Sequence, residues 1–190
     1  MLSSVTGLIL AGGKGSRMGG VDKGLQTFRG KRLVDHVYER FAPQVGGIII
    51  NANQNHEEYK TFGVRVVSDA IGGYAGPLAG LHAGMSVSKR PFLASVPCDS
   101  PFLPTDLIER LHKRIDETGA ELAVAKTGNQ PHPVFSLMRP QVGGRVWGDS
   151  RLVYPSPDGH TVRRQAYYLF RHCRPDACGD GRIGLRPEFF

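Results

Sequence analysis

An apolar run, Val5 to Ala11, stops abruptly at Gly12-Gly13-Lys14-Gly15-Ser16-Arg17-Met18-Gly19-Gly20-Val21-Asp22-Lys23. A run with no polar alternation reads as a strand covered on both faces, the habit of a parallel sheet between helices. The glycines after it permit positive φ and close approach to the backbone. Successive backbone N–H groups in such a turn form a concave anion site, and Lys14, Arg17 and Lys23 surround it with positive charge. The simplest ligand is a polyphosphate; the plainer alternative is a solvated basic turn. Two familiar phosphate motifs do not fit. The P-loop needs Gly-Lys-Ser/Thr, and Gly15 follows Lys14 here. The dinucleotide fingerprint fails at Met18, where its last glycine belongs.

The remaining pattern alternates strand and helix. After a turn at Arg29-Gly30, Leu33, Val37 and Phe41 recur at helical spacing and predict a helix over 32–42, stopped by Pro43. Gly47 to Asn51 reads as a buried strand, 56–62 as a short helix and 64–69 as a third strand. Gly76-Pro77-Leu78-Ala79-Gly80 opens a helix, with Pro77 in its first turn. Arg90 to Val96 is a fourth strand, running into Pro97-Cys98-Asp99-Ser100-Pro101. Leu107, Ile108, Leu111 and Ile115 predict a helix over 105–117 closed at Gly119. Strands follow at 120–125 and 134–138, around a turn-rich 128–131. The order predicts a three-layer α/β domain, Rossmann-like, with a mostly parallel central sheet and right-handed crossovers.

Composition narrows the classes. The 190 residues fit one domain, and no apolar run approaches membrane-spanning length. Three cysteines, Cys98, Cys173 and Cys178, make neither a disulfide framework nor a zinc motif, so a cytoplasmic protein is expected. The net charge of +7 favours acidic ligands, but no aromatic-basic interleaving supports a nucleic-acid platform.

Asp99 follows a buried strand, so it falls at the carboxyl edge of the sheet, where open α/β sheets bind ligands. One carboxylate beside substrate phosphates suits Mg2+. The competing reading is a helix cap, for which Thr105 and Asp106 are better placed. Cys98 has no base beside it in sequence and reads as a packed thiol.

Leu-Ala-Gly-Gly-x-x-x-Arg-Met-Gly followed by Asp-Lys, at Leu10 to Lys23, resembles the signature loop of the sugar-nucleotide-type nucleotidyltransferases. With Gly12-Gly13 and Gly19-Gly20 doubled, it is similar to the molybdenum cofactor guanylyltransferase (MobA) family. Gly76-Pro77-Leu78-Ala79-Gly80, Pro97-Cys98-Asp99-Ser100-Pro101 and His132-Pro133 carry the resemblance onward. It implies transfer of GMP from GTP to the terminal phosphate of molybdopterin, releasing pyrophosphate. Arg17, Lys23 and Asp99 would be catalytic, and Asp99 would hold Mg2+. Leu10, Ala11, Gly12, Gly13, Lys23, Asn51, Asp69, Gly80 and Asp99 would bind nucleotide, and His132 would lie towards the acceptor. Molybdoenzymes or cofactor-biosynthesis proteins are the partners such a role implies. On the residues alone Lys23 reads equally as a surface lysine, Asn51 and Asp69 as turn formers, and His132 as a hairpin residue. The alternative activities are cytidylyl transfer to molybdopterin and 2-phospholactate guanylyl transfer. Outside this enzyme class stand a nucleic-acid binder and a nucleotide-binding scaffold without turnover.

The motif match ends near residue 146. The family's Asn-x-Asn-Thr-Pro is missing from 147–190, a stretch that carries seven arginines, no lysine and two of the three cysteines. The expected division is therefore 1–146 for the nucleotidyltransferase domain and 147–190 for an atypical stretch. That stretch is either part of the same domain or a loose tail.

Overall fold

The computed structural model of the protein describes residues 2–13, 22–70, 76–128 and 130–140. The expected roles of Arg17 and of the stretch 147–190 lie outside the described residues. Eight strands, β1 (Leu2–Leu10), β2 (Thr27–Phe28), β3 (Lys31–Arg32), β4 (Val45–Asn51), β5 (Arg65–Val67), β6 (Phe92–Pro97), β7 (Leu122–Thr127) and β8 (Gln130–Met138), alternate with four helices. These are α1 (Leu33–Phe41), α2 (His56–Lys60), α3 (Pro77–Val87) and α4 (Leu107–Thr118). Six strands form one sheet in the order β5-β4-β1-β6-β8-β7, and β2 with β3 makes a separate small hairpin. Pairings among β5, β4, β1 and β6 are parallel; β8 runs antiparallel to both β6 and β7.

The layers follow from the side-chain period of β1. Val5, Ile9 and Ala11 share a core with Val34, Val37 and Phe41 of α1, Tyr59 of α2 and Leu107, Leu111 and Ile115 of α4. Leu8 and Leu10 point the other way, into a second cluster with Ile49, Leu93 and Leu81 of α3. Both faces of the strand are buried, which is why its sequence shows no alternation. α3 is rich in small residues, and Gly80 and Gly84 bring its backbone against Asn51, Leu10 and Leu8.

One expectation is corrected. β8 begins at Gln130, not near Val134, because Gln130–His132 pair with Thr127–Ala125 of β7, while β6 pairs only with the Ser136–Met138 end. Pro131 and Pro133 sit in the half that pairs with β7 alone, so no second ladder needs their missing N–H. α1 ends at Phe41, before Pro43 as expected, and the chain passes through Ala42–Gln44 as a single 3-10 turn into β4. α4 likewise closes at Gly119 as expected, with φ at 65°.

The start of α1 yields the first prediction. Asp35 Oδ2 accepts the Arg32 backbone N–H at 3.0 Å, and the Arg32 guanidinium reaches Asp35 Oδ1 at 2.8 Å. Burial alone would raise the Asp35 carboxyl, but the Arg32 bonds together outweigh it and hold the group below its usual value. Asp35→Ala is expected to lower stability by about 1–2 kcal/mol. The folded-state value is depressed, so this contribution is present above the ordinary carboxylate range and is lost as pH falls through the folded value. Urea unfolding at neutral and acidic pH checks it: the gap between native and variant should close in acid.

Candidate functional site

One transverse row of residues positions the site. The registers align Leu10 with Asn51, Asn51 with Val67, and Leu10 with Pro97 across four neighbouring strands. Two residues beyond that row, at the carboxyl edge, lie Gly12, Asn53, Asp69 and Asp99. Gly12, Asp69 and Asp99 line a cleft of about 530 Å³ together with Asn51 and Lys23, and Asn53 stands behind it, bonded to Gly12 and Asp69. The chain runs outward from β1 through β4 to β5, then returns to β6 on the other side of β1, so the cleft sits at a topological switch point.

Its first wall is a polar network joining three strand ends. Asn51 Nδ2 donates to Asp69 Oδ1 at 2.9 Å and to the Val67 carbonyl at 3.3 Å. Asn53 Nδ2 donates to Asp69 Oδ2 and to the Gly12 carbonyl, both at 2.8 Å, while the Asp69 N–H donates to Asn53 Oδ1 at 2.9 Å. Asn51 is only 2% exposed, so these bonds hold it at one place.

The second wall carries charge. Lys23 Nζ lies 3.8 Å from Asp99 Oδ2, with side chains 53% and 38% exposed. A pair this open contributes about 0–1 kcal/mol to stability. It stands where both groups can turn to a charged ligand. Asp99 is not a cap: α4 starts at Leu107, with Asp106 at its N-cap position. Beside Asp99 the Cys98 thiol is buried; burial first, and the nearby Asp99 carboxylate second, push it well above the usual thiol range. It stays a thiol and packs, as expected, rather than serving as a nucleophile.

Three carboxylates border the cleft, and two are already saturated. Asp69 is held by the asparagine pair. Asp22 accepts from the Tyr59 hydroxyl at 2.7 Å, the Gly24 N–H at 3.1 Å and Asn55 Nδ2 at 3.1 Å. Among the described residues, Asp99 has Lys23 as its charged partner. No cluster of three or more His, Cys, Asp or Glu side chains that could cage a metal occurs among the described residues. A single hard carboxylate facing a cleft matches a cation that takes most of its ligands from water and phosphate.

Of the sequence-predicted residues, Leu10, Ala11, Gly12, Gly13, Lys23, Asn51, Asp69 and Asp99 all line this cleft. Gly80 does not line it; it lies beneath Asn51, where a Cβ would come within 2.3 Å of Asn51 Oδ1. His132 is also outside the lining. Its ring pairs with Thr127 Oγ1 at 3.0 Å in the β7–β8 hairpin and meets Phe135 edge-on. Sequence reasoning gave no role to Asn53, Asp22 or Tyr59. Asn53 carried a signal, lying two residues past a strand end in step with Asp69; Tyr59, a core tyrosine on a five-residue helix, carried none.

Comparisons with known proteins show the family and the fold. Residues 7–147 match the family model of the MobA-like NTP transferase domain. The molybdenum cofactor guanylyltransferase of Cupriavidus taiwanensis is 53% identical over 139 residues, covering 70% of each chain. That of Ralstonia pickettii is 43% identical over 187 residues, covering 94% of this chain and 88% of its own. Coverage that high necessarily runs past residue 146. Among solved structures, molybdopterin-guanine dinucleotide biosynthesis protein A from Archaeoglobus fulgidus superposes with a TM-score of 0.58 at 18% identity, over 87% of this chain and 99% of its own. CMP:2-keto-3-deoxy-manno-octonic acid synthetase complexed with CTP gives 0.63 at 16% identity, over 88% and 84%. Both likenesses concern the fold. No helix among the described residues is long and apolar enough to cross a membrane. With the family model spanning most of the chain and relatives above half identity, the chain belongs to the MobA-like NTP transferase family of nucleotidyltransferases.

Proposed function

We propose that this protein transfers GMP from GTP to the terminal phosphate of molybdopterin, forming the guanine dinucleotide of the cofactor and pyrophosphate. The observation that carries the reading is the pairing of Lys23 with Asp99 in a cleft that Asn51 and Asp69 also line, both held by the Asn51–Asn53–Asp69 network. A nucleotide laid across it would meet asparagine and aspartate at one end and charge at the other. The acceptor's phosphate oxygen attacks the α-phosphorus of GTP, the bond to the β-phosphate oxygen breaks, and pyrophosphate leaves with the electron pair. No protein nucleophile is needed, so the chain's work is positioning and charge neutralisation.

Asp99 would hold a divalent cation, and Mg2+ fits its single hard carboxylate. Bound there, the cation would neutralise phosphate charge. Lys23 would turn from Asp99 to the charge growing on the α-phosphate and leaving group. The Gly12-Gly13 backbone would let the phosphates approach closely, continuing into the basic stretch with Arg17. Asn51 and Asp69 would orient the nucleoside. In such a cofactor-building role the protein partners would be molybdoenzymes or other biosynthetic proteins, in the cytoplasm.

Nucleotide consumption and pyrophosphate release, measured with GTP, CTP and ATP in the presence and absence of molybdopterin, test the reading. GTP is expected to be consumed at least about tenfold faster than CTP, and only with molybdopterin present. Preference for CTP would assign the cytidylyl activity. GTP binding without turnover would assign a scaffold, and turnover with 2-phospholactate but not molybdopterin would assign the other guanylyl transfer.

A further inference from the structure

The proposed mechanism uses Lys23 but not what holds it. Tyr59 on α2 is 0% exposed, and its hydroxyl donates to Asp22 Oδ1 at 2.7 Å. The same oxygen takes the Gly24 N–H at 3.1 Å, and Oδ2 takes Asn55 Nδ2 at 3.1 Å. Asn55 stands immediately ahead of α2 with φ at 52°. One carboxylate therefore ties α2 to the residues on both sides of Lys23. From below, a Cβ at Gly24 would lie 2.6 Å from the Tyr59 hydroxyl and 3.1 Å from Cys98 Sγ, so the turn is seated directly on both. Cys98 adjoins Asp99. Burial, then the bond to Asp22, push the Tyr59 hydroxyl far above the usual phenol range, so it remains a donor.

We propose that Tyr59 is a positioning residue for transfer: through Asp22 it fixes the Lys23-Gly24 turn, so that the Lys23 ammonium meets the phosphate charge that grows in the transition state. The inference rests on the guanylyl-transfer reading. The Lys23 side chain is half exposed and long, and only its backbone is anchored by this contact. A misplaced lysine would still attract a bound triphosphate over several ångströms. It would lose most of its value at the one position where charge develops. The defect therefore belongs in kcat rather than in GTP affinity.

Steady-state kinetics of the full chain with GTP, Mg2+ and molybdopterin, for native, Tyr59→Phe, Asp22→Ala and the double variant, test this, with GTP affinity measured separately by calorimetry. Tyr59→Phe keeps the ring and removes the hydroxyl. It is expected to lower kcat about tenfold, leave KM and Kd for GTP within about threefold, and add less than about twofold to Asp22→Ala. A kcat loss under fivefold overturns the proposal. So does a loss of GTP affinity that matches the loss in kcat, or a Tyr59→Phe effect that persists undiminished without Asp22, because either marks a merely structural role. Should Tyr59→Phe not fold, Asn55→Gly, which keeps the positive φ and removes the amide, is read by the same criteria. A native protein that consumes no GTP with molybdopterin sinks the guanylyl-transfer reading and this proposal with it. Native turnover that both variants retain sinks this proposal alone.

Discussion

Asp99→Ala is expected to lower guanylyl transfer by about 10³-fold while moving the melting temperature by no more than a few degrees. The two halves of that expectation have different physical origins. A cation held at Asp99 would contribute several kcal/mol of charge stabilisation that exists only along the reaction. In the resting protein Asp99 is 38% exposed, and its ion pair with Lys23 spans 3.8 Å, so little folding energy depends on it. Asp99→Asn separates charge from shape and should fall nearly as far as the alanine variant. Turnover against Mg2+ concentration for native and both variants is the measurement. Native-like turnover with the same metal dependence would remove Asp99 from the mechanism.

The second large effect comes from a residue outside the cleft lining. Gly80→Ala is expected to weaken GTP binding about tenfold and to lower stability by about 1–2 kcal/mol. Helix propensity points the other way, favouring alanine inside a helix by about 0.5–1 kcal/mol. Sterics decide the sign. The new Cβ would come within 2.3 Å of Asn51 Oδ1 and 2.7 Å of Leu10 Cδ2. Leu10 is buried in the core, and Asn51 is already bonded to Asp69 and the Val67 carbonyl, so neither has anywhere to retreat. The strain is relieved by pushing Asn51 out of its network or α3 off the sheet. Ser86→Ala, on the exposed side of the same helix, should change stability by no more than about 0.5 kcal/mol and leave GTP affinity alone. Urea midpoints and GTP titrations read both variants. A more stable Gly80→Ala with native affinity would show that the contact between α3 and Asn51 does not hold the site.

What the sequence disclosed was whatever depends on neighbours along the chain. The unbroken apolar run of β1 and the spacing of Leu107, Leu111 and Ile115 on α4 both reflect burial that repeats with the local period. Asp99 was legible because a buried strand leads straight to it. The register was not legible: nothing local says that Leu10 faces both Asn51 and Pro97, and it is this alignment that brings Gly12, Asn53, Asp69 and Asp99 to one edge. Gly80 was assigned to the nucleotide by resemblance, whereas the structure makes it the floor under Asn51. Asp22 and Tyr59 escaped notice because each acts on the other across 37 positions of sequence, through a helix too short to show a period. β8 was placed four residues too late because its prolines read as loop, and only the limited reach of β6 makes them tolerable.

The place of β1 at the centre of the sheet also governs how the chain comes to be folded during synthesis. β1 leaves the ribosome ahead of the other described elements, and its first neighbour, β4, follows about forty residues later. Its other edge, Val5 to Leu10, pairs with Phe92 to Pro97, so a nascent chain must carry that edge bare until more than eighty further residues have been made. Closing so distant a pair is slow, and an open apolar edge invites pairing with another chain meanwhile. The strand that leads into the cleft at Gly12 and Gly13 is thus the one most in need of a chaperone's protection before β6 arrives.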